Sequence, residues 1–114
     1  MSPEKLELNN GLVIKLLGIK TKASYLMQAT EYLKEKFKKH KVYIKFDSIK
    51  YDNNNNLLCY IYLDNKTFIN RHLLKTGYVD LDSSVDFKYK NIFMEDIRNA
   101  KGMDFKQRNQ PFST

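Results

Sequence analysis

Apolar residues recur along this chain with two different periods, and the changes of period mark its elements. The segment "KVYIKFDSI", residues 41 to 49, places Val42, Ile44 and Phe46 on one side and Tyr43, Lys45 and Asp47 on the other. That period of two predicts a half-buried strand. From about Ser24 to Lys38 the period lengthens. Leu26, Ala29, Leu33 and Phe37 fall three and four apart, with Glu31, Lys34, Glu35 and Lys38 elsewhere on the surface, which predicts an amphipathic helix. Upstream, Asn10-Gly11 lies between the apolar-rich stretches "KLEL" and "LVIKLLGI", a strong hairpin signal.

After the helix and strand, "LLCYIYL" at 57 to 63 is too continuous to alternate, and its β-branched and aromatic content predicts a strand covered on both faces. Asp64-Asn65 turns the chain, and Thr67 to Ile69 read as a short strand. Asn70 reads as the N-cap of a short helix over 71 to 76, which Gly77 closes in a left-handed conformation. "YVDLDSSVD" reads as a loop. A last helix is expected from Asp86 to Lys101, with Phe87, Ile92, Phe93, Ile97 and Ala100 as its apolar positions and Gly102 as its stop. The expected order is β-β-α-β-β-α-α in one domain over residues 1 to 104, with a disordered tail over 105 to 114.

Length and composition agree with one core. The chain has 114 residues, 42% of them hydrophobic, enough for a single packed domain and too few residues for two ordinary ones. The net charge of +7 favours anionic partners, nucleic acid or a membrane surface. The single Cys59 lies in an apolar run without a partner cysteine. It reads as an inert buried thiol in a reducing, cytoplasmic compartment. No stretch approaches the ~20 apolar residues of a membrane span, so no membrane role is expected. His40 and His72 lack a ligand pattern around them and read as surface histidines, so no metal and no cofactor is expected.

The succession "VIKLLGI", "ATEYLKEKF", "VYIKFD", "LLCYIYL", "NKTFIN" and "HLLKTGYV" resembles the staphylococcal nuclease (thermonuclease, SNase-like) family over roughly residues 8 to 102. The resemblance implies a β-barrel with helices, an α+β protein of the OB-fold kind, with Leu16, Ile19, Val42, Ile44, Phe46, Leu58, Cys59 and Ile61 in the barrel core. It also implies an incomplete barrel. The family has five barrel strands, this chain supplies about four, and the first is missing or reduced.

Active members resemble one another in a calcium site of aspartates, a glutamate and two arginines around the scissile phosphate. Hard calcium needs several oxygen ligands, and the transition state needs planar, permanently charged donors. Here the first arginine position holds Lys15, a calcium-ligand aspartate position holds Lys20, and the second arginine position holds Asn56. The "P-E" carrying the glutamate is absent, and the remaining aspartate belongs to the missing strand. The resemblance therefore implies a degenerate member that is not an enzyme; an active calcium-dependent nuclease is the disfavoured alternative. Asp80, Asp82 and Asp86 further repel phosphate where relatives bind a nucleotide.

What remains is the basic run "KEKFKKHK". It reads either as a solvated helix end favoured by the macrodipole, or as a phosphate-tracking patch of Lys34, Lys36, Lys38, Lys39 and Lys41, extended by Lys45 and Lys50. Two functions follow. One is an accessory module binding DNA or RNA; segments such as "NKTFIN" and "DFKYK" resemble the C-terminal parts of some DNA methyltransferases, which implies a longer DNA-modifying parent chain. The other is a structural module that completes its barrel with a partner chain or in a homodimer.

Overall fold

The computed structural model describes the backbone of residues 2–109 and the side chains of residues 2–100. Strands β1 (Leu6–Glu7) and β2 (Val13–Leu16) form the expected hairpin. At its tip Gly11 takes φ 86°, and Asn10 Oδ1 accepts the N–H of Leu12 at 3.0 Å. The run that looked continuous from Val13 to Ile19 is broken at Gly18, whose φ of 80° turns the chain into a separate strand, β3 (Ile19–Thr21). A 3-10 turn over Ala23–Tyr25 then leads into α1 (Leu26–Lys39).

β4 (Val42–Lys45) and β5 (Leu58–Leu63) follow, antiparallel, with Ile44 opposite Ile61. α2 (Ile69–Thr76) ends at Gly77, left-handed at φ 80° as expected. Next comes β6 (Val79–Leu81), paired with β3 where a loop was expected. The last helix is α3 (Lys90–Asn109). The strands form two sheets, one ordered β1-β2-β5-β4 and one of β3 and β6. The fold is thus α+β with three α-helices, and its described strands do not close into a barrel. Among the described strands only β2 and β5 pair in parallel, and α1 and β4 lie in the long crossover that such a pair requires.

Leu16, Ile19, Leu58, Cys59 and Ile61 are buried as expected, joined by Leu6, Leu33, Leu73 and Phe93. Other expected apolar positions are less buried, Ile92 among them at 37% exposed. Val42 and Ile44 are only half-buried, because β4 is an outer strand with no neighbour on one side. Phe46 is 48% exposed, because β4 ends at Lys45 and the chain leaves the sheet there. Leu26 is 45% exposed, because it opens α1 and its side chain leans back beyond the packed turns.

Asn70 is not a cap. It lies inside α2 and is fully buried; its Oδ1 accepts the Ile61 N–H, and its Nδ2 donates to the carbonyls of Leu17 and Cys59. Asp86 caps nothing either, since α3 starts at Lys90 and the Asp86 side chain is 95% exposed. Phe87 is buried from the preceding loop instead. Gly102 does not stop α3, which runs on to Asn109. The tail expected from residue 105 therefore begins within a helix, and beyond 109 it lies outside the described residues.

Candidate functional site

Two regions hold the residues that the sequence singled out. The first surrounds Lys15. Alternation along β2 turns its side chain away from Ile14 and Leu16, and its Nζ lies 3.2 Å from Asp52, 3.7 Å from Glu4 and 3.9 Å from Asp82. Asn56 joins the same cluster, because its Nδ2 donates to Asp52 Oδ2 at 3.0 Å. The four-asparagine turn is wound around that carboxylate: Asp52 Oδ1 accepts the N–H groups of Asn54 and Asn56, both at 2.9 Å, and Asn55 takes φ 64°. Asparagine tolerates that left-handed conformation.

Burial alone would raise the pKa of Asp52. The Asn56 side chain, the two turn N–H groups and Lys15 outweigh it and hold the carboxyl at about 2. Burial likewise opposes ionisation of Asp82, and donors from Ser84 together with Lys15 and Lys20 hold it below the usual carboxylate range. Lys20 stands on β3 opposite Asp80. Glu4 closes the cluster from the N-terminal side, accepting the Thr21 N–H at 2.9 Å. Lys15 and Asn56 are thus brought together around Asp52, while Lys20 stays exposed on β3 and adds its charge near Asp82. Among the described residues no three His, Cys, Asp or Glu side chains are placed to hold a metal ion.

The second region is the outward face of β4 and β5. Tyr43 and Lys45 share that face with Tyr62, and Tyr43 and Phe46 are 53% and 48% exposed. Lys45 Nζ stands 5.0 Å from the Tyr62 ring centre, Lys50 Nζ 5.8 Å from that of Phe46, and Lys88 Nζ 5.4 Å from that of Tyr89. A hollow of about 360 Å³ lies among Lys45, Phe46, Tyr62, Lys88 and Tyr89. Its one carboxylate, Asp47, is committed inward: it accepts the Tyr60 hydroxyl, the Lys88 N–H at 2.8 Å and the Ser48 N–H at 2.6 Å. Burial disfavours the charge on Asp47, but those donors prevail and keep its pKa below the usual value.

The rings are fixed from beneath. Tyr62 stacks on Phe68 with centroids 4.4 Å apart, and Tyr60 packs edge-on against Tyr89 at 5.1 Å. Burial, then the neighbouring Tyr89, pushes the Tyr62 phenol up to about 12, so it stays neutral. The arrangement offers aromatic rings beside cations that no carboxylate among the described residues claims, suited to stacked bases and their phosphates.

The basic run divides between this face and α1. Lys34, Lys36, Lys38 and Lys39 belong to α1, where Lys36 lies over Tyr32 and Lys39 pairs with Glu35. Lys41, Lys45 and Lys50 are exposed just before, on and after β4. Alternation along the sequence assigns Phe46 to the core and does not mark Tyr62, Lys88 or Tyr89 as part of a site. The alternation of aromatic and lysine in "FKYK", residues 87 to 90, was the available signal, hidden by its placement in a helix.

A family model described as staphylococcal nuclease homologue matches residues 2–109. No curated protein matches the chain.

Proposed function

The chain belongs to the staphylococcal nuclease family, and from that premise we propose that it is a non-catalytic, nucleic-acid-binding module, accessory to a larger DNA-modifying protein such as a DNA methyltransferase. The observation that carries the reading is the exposed surface where Lys45, Lys50 and Lys88 stand over the rings of Tyr62, Phe46 and Tyr89, with no ion pair to those lysines among the described residues. The Lys15 cluster supports its non-catalytic half. Phosphate approaching there meets three carboxylates and a lysine already held by them. A lysine also cannot supply the two parallel donors of a guanidinium. The expected ligand is single-stranded, because stacking needs bases free of their partners.

The test is fluorescence anisotropy with labelled single-stranded DNA and RNA. With four phosphate contacts, affinity should fall by about 50-fold between 50 and 200 mM salt. Phe46→Ala should weaken binding by ~1–3 kcal/mol, the worth of one stacked base. Absence of binding at 50 mM salt, or binding indifferent to Phe46→Ala and to a Lys45→Glu/Lys50→Glu pair, would overturn the reading.

A further inference from the structure

The two outer strands of the larger sheet face a common groove. Glu7, Leu8 and Asn10, on and beyond β1, and Lys41, Val42 and Ile44, along β4, line one cavity of about 670 Å³. The hydrogen-bond register shows what the strands turn towards it. The Asp64 N–H donates to the Lys41 carbonyl at 3.0 Å, which makes Lys41–Asp64 a bonded pair. By alternation Tyr43–Tyr62 and Lys45–Tyr60 are bonded pairs, and Val42–Leu63 and Ile44–Ile61 are not. The N–H groups of Leu63 and Ile61 indeed go elsewhere, to the Thr67 carbonyl and Asn70 Oδ1, both at 2.9 Å. Val42 and Ile44 therefore point their own N–H and C=O groups away from β5, towards the groove.

β1 behaves the same way. The Leu8 N–H donates to the Leu12 carbonyl at 2.8 Å, so Leu6–Ile14 is the next bonded pair and Glu7 points its backbone away from β2. Directions also match. β1 is antiparallel to β2, β2 is parallel to β5, and β5 is antiparallel to β4. Both edges consequently run the same way, and one strand between them can be antiparallel to both.

We propose that this groove takes an extended segment of another polypeptide as a strand bonded on both sides, a double form of strand addition. Its inward side chains are apolar, because Leu8, Phe37, Val42 and Ile44 pack against the core yet stay half-exposed in the groove. Its C-terminal end is acidic. Running antiparallel to β4, that end lies beside Lys41, where α1 finishes in Lys38 and Lys39 and His40 follows. Lys39 and His40 are engaged by Glu35 and Asp64, while Lys41 has no ion pair among the described residues. A second copy does not fit the groove. Every strand among the described residues is already paired, so a copy has only its own outer edges to offer, and each of those satisfies one side.

The test uses the full chain and a synthetic peptide, Thr-Val-Thr-Val-Thr-Val-Glu-Glu, read by amide hydrogen exchange. Saturating peptide should slow exchange at Glu7, Val42 and Ile44 at least tenfold. Replacing Glu-Glu by Lys-Lys should weaken binding at least tenfold. Methylating every second peptide nitrogen should abolish it, as should Val42→Pro, which removes an outward N–H and leaves the β4–β5 ladder intact. Unchanged exchange at saturation, or equal affinity for the methylated peptide, would overturn the proposal. So would protection that appears without peptide and grows with protein concentration, which would make a second copy the occupant.

Discussion

At the scale of single residues, Gly18 and Asp52 are the most constrained. Gly18 combines φ +80° with a Cβ position 2.6 Å from Phe87 Cζ and 2.9 Å from Phe93 Cδ2. Gly18→Ala meets both left-handed strain and overpacking, and should cost about 2–4 kcal/mol in urea unfolding; a cost below 1 kcal/mol would mean that the rings move aside. Asp52 makes stability depend on pH. Its folded pKa of about 2 lies below the ordinary 3.8, so its contribution is complete above about 3.8 and is lost as pH falls through 2. Urea midpoints at pH 4.5 and 2.5 should reveal a loss on the order of 1–2 kcal/mol that Asp52→Asn lacks. The sequence made Lys15, Lys20 and Asn56 visible as positions. Their partners Glu4 and Asp82 were not visible, since pairing across such separations is decided by how β2, β3 and the N-terminal segment come together.

At the scale of elements, long periodic segments were legible and short ones were not. β5 and α1 declared themselves through six and fourteen residues of pattern. β3 and β6, three residues each, exist because each supplies the other's backbone partners, which no local period records. Asn70 illustrates the same limit. A residue with good capping chemistry serves instead to tie α2 to β5 and to the turn at Leu17, with every bond buried. Asn70→Leu would leave the Ile61 N–H and the carbonyls of Leu17 and Cys59 without this partner. A destabilisation of at least ~3 kcal/mol is expected, measured by thermal unfolding, whereas an exposed capping asparagine would cost about 1 kcal/mol. Phe46 was misread for a related reason. Alternation predicts which side a residue faces, but not where the sheet stops.

At the scale of the whole molecule, the net charge of +7 is unevenly available: Lys15 is held between Asp52 and Asp82, while the lysines about Phe46 and Tyr62 are open to solvent. Calcium should therefore find no strong site. Millimolar calcium is expected to leave the thermal midpoint within 1 °C and to induce no cleavage of DNA, checked by calorimetry and gel assay; a rise of several degrees would contradict the assignment of Lys20 as a repelling cation. Cys59 has a different consequence. It is the only cysteine of the chain, fully buried in β5, and burial pushes its thiol up to about 11. Alkylating reagents reach a thiolate only after the sheet has come apart around it. The protein carries a built-in clock for its own opening. The labelling rate at that one sulfur can rank every variant named above in dilute solution without denaturant, and at concentrations found in a living cell.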